Sequence, residues 1–430
     1  MTFISIQEAL TKGKGTVAIR GWIYRERGSN EFKFIVVRDS SNIIQCVFKK
    51  EKFSSTDWDE LDKLTVESSM TVEGTLKEDK RAPTGYELQA EKFTVVQRAE
   101  PFPITKDQSA EFLLDVRHLS IRSRRLVAVM KIRHTVMKAF RAYFMSQKFL
   151  EMAPPIFTPN ACEGGSTLFE VKYYKEKMYL TQSWQLYAEA AVFALERIFC
   201  ISPCFRAEKS KTSRHLSEFW MAEMEATWIG LPELLTFAED CVSHVVQTVL
   251  QENAEELKIL ERDVEKLKKI KAPFYRKTYA EVLKILDEKE GLKIPFGKDL
   301  RTIEEDLVMK HFDKPLMVTN YPKEIMAFYK KRDPKQPDTC LCFDMLAPEG
   351  YGEIIGGSER DTDVKELEKA LKKEGEKIEN YQWYLDTRRY GSVQHGGFGM
   401  GVERVVSWIC GLDNIKDAIP FPRTMIRFKP

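Results

Sequence analysis

The sequence predicts an α+β chain, with a small five-stranded antiparallel barrel followed by a larger region built on a mainly antiparallel sheet flanked by helices. Three observations predict it. Between Thr16 and about Val96, short apolar stretches alternate with polar positions and are broken by Gly, Ser and Asn turns, the period of half-buried strands. From Val129 to Tyr143 the apolar residues recur at helical spacing. Beyond that helix, apolar strand-like runs and helical segments mix to the C-terminus, the pattern of an α+β domain.

A chain of 430 residues with 43% hydrophobic content exceeds what one ordinary domain needs, so at least two domains are expected. Its 67 basic and 65 acidic residues nearly cancel, so any nucleic-acid surface must be local. The start MTFISIQEAL lacks the layout of a signal peptide, and no run approaches the roughly 18 apolar residues of a membrane helix. A soluble cytoplasmic protein with no membrane partner is the expectation. The eight cysteines are scattered, and neither Cys200 with Cys204 nor Cys340 with Cys342 is joined by a second pair at zinc spacing. Reduced thiols and no structural zinc are expected.

Taken in order, the five strand segments are TVAIRGWIY, EFKFIVVRD, IIQCVF, MTVEGTL and YELQAEKFTVV, within a first domain of residues 1–98. They suit a small barrel, of which the oligonucleotide-binding fold is one common form, though alternation alone does not choose among barrels. Pro101 and Pro103 punctuate its end, and residues 99–125 show no sustained period, reading as a hinge or linker. The helix carrying Val129, Ile132, Val136, Phe140 and Tyr143 ends near Lys148 and leads into FLEMAPPIFTP, read as an apolar strand with a double proline. Residues 126–430 form the second domain, with strands MYLTQS, FCISPCFRAE, FWMAEMEATW, CLCFDML and YGEIIGG and a helix after Gly401. Residues 231–330 read as a helical insertion whose charged stretch ENAEELKILERDVEKLKKI is a solvated face.

Two stretches carry chemistry. In FRAEKSKTSRHLSEFWMAEME, from Phe205 to Glu225, Arg206 and Glu208 alternate on one strand face ahead of a basic loop with Arg214 and His215. A guanidinium fork matches phosphate oxygens and a carboxylate accepts from an exocyclic amine, so this arrangement suits a nucleotide; a surface hairpin with ordinary ion pairs is the plainer alternative. In GGFGMGVERVVSW, from Gly396 to Trp408, Gly397, Gly399 and Gly401 allow close backbone approach to a ligand before a helix bearing Arg404, or else simply tight packing. The spacing is that of neither a P-loop nor a dinucleotide fingerprint.

With FLEMAPPIFTP, these stretches resemble the three signature motifs of class II aminoacyl-tRNA synthetases, in order, at about 127–159, 201–228 and 396–410. The resemblance covers nearly the whole chain and is closest to the aspartyl/asparaginyl/lysyl subclass, whose members carry an anticodon-binding barrel of the oligonucleotide-binding fold. Lacking a long basic N-terminal extension, the chain is similar to the archaeal and bacterial forms. The resemblance implies that ATP is a substrate and that Arg206 binds its α-phosphate and the amino-acid carboxylate. It also implies that Glu208 and the turn Arg214, His215, Leu216 hold adenine and the outer phosphates, and that Phe219 stacks under the purine. Arg404 would lie over the purine or against the γ-phosphate, with Gly401 and Glu403 in the same ATP set. Glu353, with Asp344 behind it, would coordinate Mg2+ bridging the phosphates. No covalent nucleophile is required, and Arg206, Glu208 and Arg404 would act by orientation and electrostatics.

Members taking aspartate carry a QSPQLYK-like segment and an aspartate just after motif 2. Here the segment is QSWQLYA, with Ala188 at the lysine position, and WMAE places Glu223 at the aspartate position. A substrate carboxylate would lose its cation and meet a glutamate, whereas a neutral amide would find an acceptor. YGEIIGGSER also resembles the asparaginyl form, which puts Arg360 on a substrate oxygen, Glu163 on the α-amino group and Gln185 beside it. The alternative reading makes Ala188 a helix-packing residue and Glu223 a strand-face ion pair. The resemblance therefore implies a ligase that activates L-asparagine with ATP and loads it onto tRNA(Asn). A non-discriminating aspartyl enzyme and a tRNA-independent asparagine synthetase stand as alternatives.

In the barrel, Phe34 and Gln45 fall where the subclass stacks on, and hydrogen-bonds, the middle anticodon base, with Arg25, Arg20 and Arg27 as local charge for phosphates. The alternative for Phe34 is a place in the core. Motif 1 lies at a two-fold interface in this class, which implies a homodimer.

Overall fold

The computed structural model describes residues 2–163, 167–209 and 214–429, so parts of the CEGGST and KSKTSR segments lie outside the described residues. The chain divides into two compact units, Met1–Leu113 and Leu114–Pro430.

In the first unit, β1 (Gly15–Gly28), β2 (Phe32–Arg38), β3 (Ile43–Lys49), β4 (Ser69–Glu78) and β5 (Tyr86–Gln97) close into a barrel in the order β1-β2-β3-β5-β4. Alternation explains its core: Ile19, Ile35, Val37, Ile44, Cys46, Val72 and Leu88 point inward, and their neighbours in sequence point out. Two helices that the strand pattern does not announce, Ile6–Lys12 and Ser55–Asp62, add Ile6, Ala9, Trp58 and Leu61 to that core. The first starts at a capping box in which Ser5 and Glu8 satisfy each other's backbone donors.

The second unit is built on β6 (Leu150–Glu151), β10 (Arg197–Phe205), β11 (Glu218–Thr227), β12 (Tyr275–Thr278), β13 (Leu316–Thr319), β14 (Cys342–Ala347), β15 (Gly352–Glu359) and β16 (His395–Gly401). They form one sheet in the order β12-β13-β14-β15-β16-β11-β10-β6. Its two edge pairs are parallel and the pairs between them antiparallel. Strands β7 (Phe157–Thr158), β8 (Glu170–Tyr173) and β9 (Glu176–Leu180) make a small separate sheet. The helices Arg124–Ser146, Leu231–Glu252 and Val402–Cys410 pack through Val129, Ile132, Phe140, Leu234, Val242, Val405 and Trp408 against Phe199, Ala222, Met224, Phe398 and Met400. One face of the sheet is thus committed to core. Residues of opposite parity on β11, β15 and β16 line the other face.

Several expectations change. FLEMAPPIFTP is not a continuous strand: Pro154 and Pro155 lack backbone donors, and only the two-residue pieces β6 and β7 pair on either side of them. Residues 99–125 are more than a linker, since Ala110–Asp115 and Arg117–Ser120 are helical. Arg117, 2% exposed, donates to the carbonyls of Lys416, Ile419 and Pro420 and pairs with Asp417. The region 231–330 is not a peripheral helical insertion, because the helix Leu231–Glu252 packs in the main core and β12 and β13 extend the sheet. Its charged stretch breaks into Ala254–Ile259 and Val264–Lys268 around Glu261, whose φ is 56°. Among the described residues no helix is long and apolar enough to cross a membrane.

Candidate active site

On the open face of the sheet, β11 presents Phe219, Met221, Glu223 and Glu225. In the antiparallel register their neighbours on β16 are glycines: Met221 opposes Gly401, Glu223 opposes Gly399, and Glu225 opposes Gly397. A Cβ at Gly397 would lie 2.2 Å from both the Glu225 Oε2 and the Met224 carbonyl oxygen, and one at Gly399 only 2.6 Å from the Met221 Cε. The glycine row therefore leaves room for the long β11 side chains to lie across the strand. The sequence pattern suggested room for a ligand; the structure fills that room first with the protein's own glutamates.

At one end Arg206, Glu208, His215, Leu216, Phe219, Glu353 and Arg404 converge on one cleft, with Gly401 at its wall. The Arg206 guanidinium sits 5.4 Å from the Phe219 ring centre, and its buried Nε has no hydrogen-bond partner among the described residues. Burial opposes the Arg206 charge, yet Glu163 and then Glu208 and Glu353 hold its pKa above the usual value. A buried guanidinium among acids, with an unused donor, is built to receive an anion. Arg404 Nη1 donates to the Glu353 carbonyl at 2.8 Å and to its Oε2 at 2.9 Å. Burial would raise the Glu353 carboxyl, but Arg404 and then Arg206 hold it below its ordinary value. His215 Nε2 lies 3.6 Å from Glu208 Oε2, and burial lowers its pKa. Arg214 donates to Asp306 at 3.1 Å, and Leu216 packs with Ile415 and Ile419. Glu403 borders the cleft but its carboxylate is directed away from it. It accepts from the Trp220 backbone N at 2.9 Å and pairs with Arg133 at 2.7 Å, joining the helix Arg124–Ser146 to β11.

Asp344 and Glu353 both lie over Gly356, 3.4 and 3.2 Å from where its Cβ would be. Burial and then Glu353 push Asp344 up to about 7, and burial, then Glu353 and Asp344, push the neighbouring Glu305 up to about 8. Among the described residues no group of three or more acidic, His or Cys side chains is arranged to hold a metal. Two carboxylates that repel each other at a phosphate-sized cleft suit Mg2+, which takes most of its ligands from phosphates and water.

At the other end Glu223 is 5% exposed and, among the described residues, makes no ion pair. Its Oε1 accepts from Ser183 Oγ at 2.6 Å and its Oε2 from the Trp184 backbone N at 3.0 Å, while burial pushes its pKa up to about 7. Glu163 Oε1 accepts from the Tyr329 hydroxyl at 2.8 Å. Arg360 grips Glu225 with both prongs of its fork at 2.9 and 2.8 Å and donates to Ser358 Oγ at 3.0 Å. Gln185 turns its amide Nε2 to Glu189 at 2.9 Å. Ala188 packs in an apolar cluster with Trp184, Val192, Ile198 and Cys200, the last being the cross-strand partner of Glu223. It is therefore a packing residue directly behind the Glu223 strand.

Sequence reasoning missed Glu225, Tyr329, Glu305 and the buried set of Glu189, Arg388 and His395. Glu225 had a signal, since it shares parity with Glu223 two residues away. Glu189 and Arg388 had none, because each sits on a different helix, Gln185–Leu195 and Gln382–Arg389, far apart in the chain.

On the barrel's outer face, Arg27 and Phe34 are cross-strand partners, as are Arg25 and Val36, and Val36 and Gln45. Phe34 is half-buried, outside the barrel core, and stacks on Phe32 at 6.4 Å with the Arg27 guanidinium 5.2 Å above its ring. Arg27 Nη2 reaches Gln45 Oε1 at 3.4 Å, and Gln45 Nε2 donates to Glu87 at 3.3 Å. The core alternative for Phe34 therefore fails.

With this geometry in place, residues 109–425 match the tRNA synthetases class II (D, K and N), and residues 17–96 match the OB-fold nucleic acid binding domain. The chain is a class II tRNA synthetase of the D, K and N group. It is 47% identical over 429 residues to the asparagine--tRNA ligase of Thermoplasma acidophilum, spanning 99% of this chain and all of that one. It is 48% identical to that of Thermococcus gammatolerans, spanning 96% of both. Its fold superposes on asparaginyl-tRNA synthetase from Pyrococcus horikoshii, complexed with asparaginyl-adenylate, with a TM-score of 0.96 at 43% identity over 100% of both chains. The Entamoeba histolytica asparaginyl-tRNA synthetase in complex with asparaginyl-adenylate gives 0.90 at 32% identity, over 100% of this chain and 99% of that one. The chain belongs to the asparagine--tRNA ligase family.

Proposed function

We propose that this protein activates L-asparagine with ATP to asparaginyl-adenylate and pyrophosphate, then transfers asparagine to the 3′-terminal adenosine of tRNA(Asn). The observation that carries it is the open face on which Arg206 stands between the cleft it lines with Phe219 and Arg404 and the neighbouring charged group of Glu163, Glu223 and Arg360. Adenine lies against Phe219, with Glu208 accepting from its amine and His215 and Leu216 closing its edge. Arg206 bridges the α-phosphate and the asparagine carboxylate, where negative charge builds as a carboxylate oxygen attacks the α-phosphorus and pyrophosphate leaves. Arg404 and Arg214 face the outer phosphates. Asp344 and Glu353 would hold Mg2+, which would supply positive charge between phosphate groups. In the second step the adenosine hydroxyl attacks the activated carbonyl and AMP leaves. Both steps rest on positioning and charge, without a covalent intermediate on the protein.

For the side chain, Glu223 accepts from the amide NH2. Of the five N–H donors of a guanidinium, Arg360 uses three on Glu225 and Ser358, leaving two for the amide oxygen. Glu163 receives the α-ammonium, with Gln185 in the layer behind. On the barrel, Phe34 stacks on the middle anticodon base and Gln45 reads its edge, with Arg25 near the backbone. The protein is a homodimer working in the cytoplasm. A non-discriminating aspartyl enzyme would need a cation left free for the substrate carboxylate, and Arg360 is already paired. The test is aminoacylation of the asparagine and aspartate tRNAs with each amino acid. Only the asparagine–tRNA(Asn) pair is expected to react well, and a comparable rate with aspartate on either tRNA would overturn the specificity.

A further inference from the structure

Behind Arg360 lies a second buried ionic layer. Glu189, fully buried, carries on Oε2 the Arg388 guanidinium, the Tyr384 hydroxyl at 2.8 Å and His395 Nε2 at 3.3 Å, while its Oε1 takes the Gln185 amide. That Oε1 also lies 3.9 Å from Arg360 Nε. Arg388, equally buried, is held besides by the Asp361 carbonyl at 3.1 Å and lies against the Tyr384 ring. Burial would raise the Glu189 carboxyl, but Arg388, then His395 and Arg360, hold it well below the carboxylate range, so it is ionised.

Two guanidiniums, Arg360 and Arg388, are thus matched by two carboxylates, Glu225 and Glu189, in a region closed to water. Neither cation is left over for an incoming carboxylate. A neutral carboxamide meets a balanced wall, whereas aspartate would add an unmatched negative charge facing Glu223 and Glu163. Packing alone does not require this arrangement, since an apolar pair would fill the same volume between the two helices.

We propose that Glu189 and Arg388 form a specificity-determining pair that, without touching substrate, fixes the charge behind Arg360 so that the pocket takes an amide and refuses a carboxylate. This rests on the reading that Arg360 faces the asparagine side chain. It makes the sign of each substitution's effect follow charge. In Glu189→Gln, Arg388 loses its counter-ion and the wall gains a net positive charge, which favours aspartate. In Arg388→Met, Glu189 is left in excess and the wall turns negative, which disfavours aspartate further. In the double variant the charges balance again although the packing is altered.

The experiment is ATP–pyrophosphate exchange by the full-length protein with asparagine and aspartate as alternative substrates, comparing the ratio of kcat/KM values. One unbalanced buried charge changes the relative binding of a carboxylate by on the order of tenfold. Glu189→Gln is expected to lower the asparagine-to-aspartate ratio by about that factor, mostly through KM, with Arg388→Met raising it and the double variant returning toward the wild-type ratio. A merely structural pair would lower both activities and leave the ratio fixed, or move it the same way in both single variants, and either result overturns the proposal. If Glu189→Gln does not fold, the ratio for Arg388→Met and for the double variant decides. A wild-type protein that exchanges with aspartate but not asparagine overturns the asparagine reading itself, which separates the two failures.

Discussion

Glu223 is a carboxylate placed where a carboxylate is costly. It is 5% exposed, and two donors, Ser183 Oγ and the Trp184 N–H, do not offset its desolvation, so its pKa rises from 4.5 to about 7. Between those values the folded protein keeps a proton that the unfolded chain has released. Stability therefore falls as pH rises through that window, and above it the ionised group costs about 3 kcal/mol. On the proposed reading, that charge is what accepts from the substrate amide and repels a carboxylate. Glu223→Gln is expected to abolish asparagine-dependent exchange while its Tm, relative to wild type, improves on going from pH 5 to pH 8. Thermal unfolding at the two pH values checks this, and a Tm difference independent of pH would remove the buried charge from the account. Arg206 and Glu208 lie just past the end of β10 rather than on a strand face, and Arg206 was legible through the motif 2 stretch. Glu223 was legible through the resemblance, at the position where the aspartate-taking members carry an aspartate. Glu189 and Arg388 were not, because their meeting depends on two helices that only the tertiary fold brings together.

Elements with a strong period were read correctly, and short or doubly buried ones were not. The five barrel strands and the helix through Val129 and Phe140 follow from alternation at periods of two and 3.6. β12 and β13 have four residues each and lie between charged helices, too short for alternation to show. The helix Leu231–Glu252 adjoins a strongly charged stretch, so the composition of the region as a whole masks its place in the main core. The outer face of β1, β2 and β3 shows what pattern alone leaves open. Phe34 has the sequence context of a core residue, and only the register with Arg27 puts it outside. An aromatic on that face, flanked by a guanidinium and the Gln45 amide, offers a base a stacking surface contributing about 1–3 kcal/mol. Phe34→Ala is expected to raise the KM for tRNA on the order of tenfold. Asparagine-dependent exchange, which needs no tRNA, should stay at the wild-type rate. Unchanged aminoacylation kinetics would take Phe34 out of the tRNA surface.

For the whole molecule, what remains is the surface that the chain leaves uncovered. The large sheet ends on β6, whose Leu150 is 54% exposed, and the same stretch of chain exposes Met145 at 62%, Ile156 at 40% and Phe157 at 44%. An edge strand with bare apolar side chains invites association unless a partner covers it. A second copy meeting it about a two-fold axis covers both edges at once and closes the assembly without further growth. The same segment leads from the helix Arg124–Ser146, whose Arg133 holds the buried Glu403 carboxylate behind the cleft, so an interface here would bear on the site through that ion pair. Sedimentation of the purified protein is expected to give twice the chain mass. Ile156→Arg should shift it toward monomer with loss of asparagine-dependent exchange, because the helix and the Glu403 contact lose their support. A wild-type monomer with full exchange activity, or a monomeric Ile156→Arg variant that keeps it, would make the exposed edge incidental to the chemistry.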